Sequence, residues 1–147
     1  MIGIVIVSHG RLALELRAAA EQILGFQPNI GAVCFSPGDD VDAKRRELVA
    51  RVQSADQGYG VLVLTDLFGG TPSNLAISIM GEARVEVIAG VNLPMLVKLA
   101  TEMDAADSLA AAAASAEHAG RKAIRVASEF LNKPVHEPSK AEKARPS

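Results

Sequence analysis

Aromatic rings, cysteine and net positive charge are all scarce in this chain, and each scarcity removes a class of function. Four Phe and one Tyr, with no Trp, make up 3% of the 147 residues. Base-stacking nucleic-acid platforms and sugar-stacking clefts are built from more rings than this. The formal net charge is −2, so there is no basic footprint for a nucleic acid. A single cysteine, Cys34, excludes an intramolecular disulfide framework and a multi-thiolate metal site. It lies in an apolar run and reads as a buried, inert thiol. The apolar run Ile2–Val7 is too short for a membrane span or a signal-peptide core, so a cytoplasmic protein without membrane insertion is expected. The length suits one domain with a real core and leaves no room for a separate substrate domain. With 49% hydrophobic residues and so few rings, that core has to be Val, Ile, Leu and Ala.

Charge and proline are unevenly spread. Residues 133–147 hold four basic and two acidic residues and three of the seven prolines, with almost nothing large and apolar. Residues 131–147 are therefore expected to be a disordered basic tail on a domain of residues 1–130. Ahead of it, two periodicities alternate. Ile2–Val7, Ile30–Phe35, Val61–Leu64 and Arg84–Ile88 read as strands. Leu12, Leu16, Ala20 and Ile23 recur at helical spacing up to Gly25. Asp39 or Asp40 can cap a helix carrying Val41, Leu48 and Val52 inward. Thr71-Pro72 reads as an N-cap and first helical position, opening a short helix to Met80. Pro94 starts another that ends near Met103. Asp104 or Asp107 then caps an Ala-rich helix that Gly120 ends. Four strand–helix alternations predict an α/β fold: a doubly wound, mainly parallel sheet of four strands with helices on both faces. The first three strands are near-continuous apolar runs, as in a sheet covered on both faces. Arg84 and Glu86 mark the fourth as less buried. Ala123–Ser128 is ambiguous between a fifth strand and a helix.

Ligands of open α/β sheets bind beyond the carboxyl ends of the strands, and the chemistry-bearing residues gather there. Ser8-His9-Gly10 follows the first strand, and Asp66-Leu67-Phe68-Gly69-Gly70-Thr71-Pro72-Ser73-Asn74 follows the third. His118 sits on a helix and His136 in the tail, both reading as solvated. His9 follows a buried strand directly, and Gly10 lets the backbone turn and a partner approach. Imidazole there can be nucleophile, acid, base or ligand; the plain alternative is a histidine that merely ends a strand. Asp66, at the end of a strand that commonly neighbours the first, can accept a hydrogen bond from one ring nitrogen of His9. That fixes the tautomer and frees the other nitrogen to attack. The plain alternative for Asp66 is a turn or cap. Gly69 and Gly70 before a helix start can form a nest of N–H groups for an anion, with Thr71 and Ser73 adding hydroxyls. The spacing is neither a Walker A motif nor a dinucleotide fingerprint, so a single phosphoryl group fits better than a nucleotide. No His, Cys or Glu pair near His9 in sequence suggests a metal site, and no cofactor is expected.

These segments, with Gly90-Val91-Asn92-Leu93-Pro94-Met95-Leu96, resemble the enzyme IIA proteins of the mannose family of the bacterial phosphoenolpyruvate-dependent sugar phosphotransferase system. The resemblance implies a phosphohistidine carrier. His9 is then the phosphoryl acceptor and Asp66 the residue that hydrogen-bonds it. Gly69, Gly70, Thr71 and Ser73 are then the phosphoryl-binding groups. It implies phospho-HPr as donor and an enzyme IIB as acceptor, supplied in trans because no IIB-like segment follows in this sequence. In its absence the phosphorylation state of His9 serves regulation. It also implies a homodimer made by exchanging a C-terminal antiparallel strand, which would place Ile124–Val126 in that fifth strand. Loops bearing Phe68 and Leu93 become the apolar docking surface. Two alternatives belong to other classes. A receiver-like domain phosphorylated on Asp66 would need an acidic pair after the first strand, where Ser8-His9 stands. A small tetrapyrrole metal chelatase would need more ligands in the cleft.

Overall fold

The computed structural model describes residues 1–102 and 108–138. Four strands, β1 (Gly3–His9), β2 (Ile30–Phe35), β3 (Val61–Thr65) and β4 (Val85–Ala89), form one sheet in the order β2-β1-β3-β4. Every pairing is parallel. Six helices accompany them among the described residues: α1 (Leu12–Leu24), α2 (Val41–Ala55), α3 (Thr71–Ser78), α4 (Leu93–Glu102), α5 (Leu109–Lys122) and α6 (Ala127–Phe130). The predicted doubly wound, four-stranded α/β architecture is the observed one.

Alternation along the strands builds two cores. Ile4, Ile6, Leu62 and Leu64 point to one face and meet α1, α4 and α5. Val5, Val7, Val61 and Val63 point to the other and meet α2 and α3. Most of β1 and all of β3 are sealed, because both faces are covered. Each such Ile, Leu or Val side chain contributes roughly 1.5–3 kcal/mol by leaving water. β4 lies at the sheet edge and is only half-buried beyond Val85, as Arg84 and Glu86 foretell.

Several local expectations need correction. In α1 the sealed residues are Ala13 and Ala20, while Leu12 and Ile23 face water. Small side chains let α1 lie close to the sheet, which turns the two larger ones to its flanks. Val41, expected inward, is exposed at the start of α2. Of the two candidate caps for α2, Asp40 is the one used, accepting from the Asp42 N–H at 3.0 Å, as expected. Gly70 rather than Thr71 is the N-cap of α3, so Pro72 falls one place deeper, where it still needs no N–H. Ser108 caps α5 by accepting from the Ala111 N–H at 3.0 Å; the expected caps Asp104 and Asp107 lie outside the described residues. Gly120 does not end α5. It lies inside the helix, where a Cβ would stand 2.8 Å from Met95 Cε. Cys34 is half-buried against the α1-side core rather than fully enclosed.

Ile124–Val126 forms no strand within the chain: it is irregular and exposed, and Ala127–Phe130 is helical. Residues 133–138 are irregular and exposed; residues 139–147 of the expected tail lie outside the described residues.

Candidate active site

The order β2-β1-β3 reverses direction between β1 and β3, and His9 and Asp66 stand at the carboxyl ends of those two strands. Such a switch point opens a crevice because the helices after the two strands leave toward opposite faces. Here α1 follows β1 on one face and α3 follows β3 on the other.

The ends of both strands are fixed by hydrogen bonds. The buried Ser8 hydroxyl accepts from the Ala13 N–H at 2.7 Å and donates to the His9 carbonyl at 3.1 Å. It thereby caps α1, whose own N-cap residue Arg11 offers no side-chain bond. The Gly10 N–H donates to the Phe35 carbonyl, and Gly10 takes φ +54°, a conformation that favours glycine. His9 is thus held between a clamp before it and a tight turn after it.

Asp66 then orients the ring. Its Oδ2 accepts from the His9 backbone N–H at 3.0 Å and lies 3.0 Å from Nδ1. An ionised carboxylate only accepts, so Nδ1 carries the proton of this bond and the neutral ring keeps its lone pair on Nε2. The His9 side chain is 52% exposed and that of Asp66 13%. Burial pushes the Asp66 carboxyl up, but the backbone and ring hydrogen bonds from His9 more than offset it and hold the group below the usual carboxylate range.

The free edge of the ring faces α3. A Cβ on Gly70 would stand 2.8 Å from His9 Cε1 and 3.3 Å from Nε2, so only glycine lets the ring lie there. The first intrahelical bond of α3 runs from the Asn74 N–H to the Gly70 carbonyl at 2.9 Å. Pro72 has no N–H, and the Gly70 amide donates to the Leu67 carbonyl at 3.4 Å, which leaves the Thr71 amide of the first turn for an anion. The Thr71 residue is exposed at this edge. Ser73 is fully buried, so its hydroxyl lies behind the helix start rather than on the cleft surface. His9, Phe35, Pro37, Asp39, Val41 and Thr71 line an open cleft in front of the ring. Leu67 and Phe68 are well exposed beside it.

The sequence placed His9, Asp66, Gly69, Gly70 and Thr71 at one edge, and the fold brings them there. Ser8 and Asn92 were missed in their roles. Asn92 accepts from the Met95 N–H and donates to the Gly120 carbonyl, both at 3.0 Å, tying the loop after β4 to α5. A serine five residues before a helical alanine was the available signal for Ser8.

An imidazole with a carboxylate behind it and a helix start ahead of it can attack, hold and release an anionic group. The comparisons with known proteins narrow this. The family model described as "PTS system fructose IIA component" matches residues 3–117. The mannose-specific EIIAB component of Escherichia coli is 38% identical over 125 residues, 84% of this chain and 39% of that protein. The fructose-specific EIIA component of Bacillus subtilis is 34% identical over 100 residues, 67% of this chain and 68% of that protein. The crystal structure of EIIA from Streptococcus agalactiae superposes with a TM-score of 0.81 at 27% identity, covering 88% of this chain and 99% of that one. The chain belongs to the mannose-type enzyme IIA family of the sugar phosphotransferase system. It spans about two fifths of the E. coli relative. Among the described residues, no helix is long and apolar enough to cross a membrane.

Proposed function

We propose that this chain is a phosphohistidine carrier that receives a phosphoryl group from phospho-HPr on His9 Nε2 and passes it to an enzyme IIB partner. The observation that carries the reading is the division of labour on one ring. Asp66 occupies Nδ1, and Nε2 lies against Gly70 at the start of α3. In the forward step the Nε2 lone pair attacks the donor phosphorus. The P–N bond of the donor phosphohistidine breaks, and its electron pair stays on the donor nitrogen. The positive charge that grows on the His9 ring is balanced by Asp66, and the phosphoryl oxygens meet the amide and hydroxyl of the exposed Thr71 at the start of α3. Gly69 supplies the turn that admits them. Positioning and charge stabilisation supply most of the acceleration in such a loose transfer.

The donor and acceptor proteins approach over the exposed rim of Leu12, Val41, Leu67 and Phe68, with Leu93 half-buried beside the loop after β4. A receiver-like use of Asp66 is disfavoured, because one oxygen holds His9 and the other is buried. The reading places the chain in the cytoplasm, serving sugar uptake or reporting its phosphorylation state to a regulatory target. Homodimerisation by strand exchange is part of the same proposal. Ile124 and Val126 are exposed, Val126 is extended (φ −89°, ψ 117°), and β4 is an edge strand among the described residues, which an antiparallel strand can join.

The test is incubation with enzyme I, HPr and labelled phosphoenolpyruvate. The wild type is expected to take up acid-labile, base-stable label, and His9→Ala none. Label retained in His9→Ala would overturn the assignment.

A further inference from the structure

A cavity of about 150 Å³ opens at the amino ends of β1 and β2, on the sheet edge opposite His9. Arg17 of α1 and Arg51 of α2 both line it, with Asn29, Ser54 and Gln57. α1 packs on one face of the sheet and α2 on the other, so the two arginines reach one cavity from opposite sides. Among the described residues no carboxylate lines it, whereas the cleft before His9 carries Asp39. Each arginine has a glutamate one helical turn away, the usual partner at that spacing: Glu21 for Arg17 and Glu47 for Arg51. Neither pair forms. Glu21 accepts from the Gln27 N–H and Glu47 from Lys44, both at 3.0 Å. Arg17 donates instead to the Ile30 carbonyl at 3.2 Å, at the start of β2. Neither arginine lies in the last turn of its helix, so attraction to a helix's negative end accounts for neither. Two cations drawn to one cavity without a counter-charge repel each other, and a shared anion reverses that repulsion.

We propose that this cavity is a second anion site, which takes a phosphoryl oxyanion, as free phosphate or as the phosphate of a small monoester, between Arg17 and Arg51. The charges match, since two guanidinium groups meet a dianion. The shapes match as well. A guanidinium presents its donors in a planar fork, and one fork already satisfies a planar carboxylate; two forks from opposite sides engage different oxygens of a tetrahedral group. One Arg17 nitrogen is committed to the Ile30 carbonyl, which holds the fork in place and leaves its other donors. The Ser54 hydroxyl and the Asn29 and Gln57 amides offer neutral donors beside the arginines. A volume of about 150 Å³ equals roughly five waters, which suits a phosphate with a short substituent and excludes a nucleotide. Gly3 lines this cavity and His9 ends the same strand, about 20 Å away along β1. The site is therefore separate from the one that carries the phosphocarrier reading, and does not rest on it.

The test is a titration of the full chain with inorganic phosphate, followed by amide NMR at constant ionic strength, for wild type, Arg17→Gln and Arg51→Gln. In the wild type the amides of Asn29, Ile30 and Gly31 are expected to shift along a saturating curve. Each substitution is expected to weaken binding by about tenfold or more, the worth of a hydrogen bond to a charged group. Arg51 is exposed, so Arg51→Gln decides the matter if Arg17→Gln does not fold. Parallel titrations with glycerol phosphate and with succinate separate the ligand classes. Phosphate or its monoester binding in preference to the dicarboxylate supports the proposal, and the tighter of the two names the source. Succinate binding as tightly as either would overturn the phosphoryl assignment. Shifts that do not saturate, saturating shifts confined to Gly10 and Thr71 beside His9, or midpoints unchanged in both variants would overturn the site and leave an adventitious ion only.

Discussion

Replacing Gly70 by alanine should separate the function of this site from the stability of the fold. Gly70 has φ −78° and ψ 169°, a conformation open to any L-residue, so the substitution brings no backbone strain. The new Cβ instead stands 2.8 Å from His9 Cε1, where ordinary contact begins at 3.4 Å, so the ring has to retreat by about 0.6 Å. The ring is half exposed and free to swing outward, away from Asp66 and from the α3 N-terminus. A displacement near 1 Å of a reacting group costs on the order of 10²-fold in rate. Loss of one glycine from the unfolded chain meanwhile stabilises by about 0.4–1 kcal/mol at a compatible site. Phosphoryl uptake measured by rapid quench from labelled phospho-HPr, beside a urea titration, reads both quantities. The expected result is a rate roughly 10- to 100-fold lower with stability equal or higher. A Gly70→Ala protein that is phosphorylated at the wild-type rate would refute the claim that contact with Gly70 sets the position of Nε2.

Three further outcomes follow from the same geometry. Asp66→Asn should slow phosphoryl uptake by about 10²-fold or more, because an amide can present its N–H to Nδ1 and favour the wrong tautomer. The folded pKa of Asp66 is depressed, so its stabilising pairing is complete above the unfolded value of about 3.9 and is lost as pH falls through the folded value. The stability gap between wild type and Asp66→Asn should therefore close on acidification below about pH 4; a gap that widens there would contradict this. Ser8→Ala should cost about 0.5–2 kcal/mol in a urea titration, since it strips the cap from the Ala13 amide, and an unchanged midpoint would mean the cap is not stabilising. Leu64→Ala, at a fully sealed position, should cost about 2–5 kcal/mol with little effect on transfer per folded molecule.

The sheet and the site were legible in the sequence for one reason: both depend on short-range signals. Three apolar runs of strand length can be buried only in a sheet covered on both faces, and the polar residues after them can collect only at its carboxyl edge. The stripe of α1 holds at Ala20 but fails at Leu12 and Ile23, which are more hydrophobic than the sealed Ala13, because the geometry rewards small residues that let helix and sheet approach. Gly120 was misread as a stop because a glycine that ends a helix and one that admits a neighbour look alike in sequence; only the nearby Met95 tells them apart. The burial of Ser73 was out of reach for a related reason. Which hydroxyl faces the cleft and which faces the core depends on the one-residue phase of α3, and that phase shifted when Gly70 rather than Thr71 took the cap.

Asp66 Oδ2 takes two protons from the same residue, one from the His9 backbone and one from its ring. This closes a small ring of bonds in which the imidazole can turn only by giving up its bond to Asp66. Most of the rotamer entropy of His9 is therefore surrendered when the chain folds rather than when a partner arrives. Two different proteins that must each find the same nitrogen then face a rigid-body search against a fixed target. Hand-over between them becomes a question of which one docks, and the acceptor atom itself needs no adjustment between the two encounters.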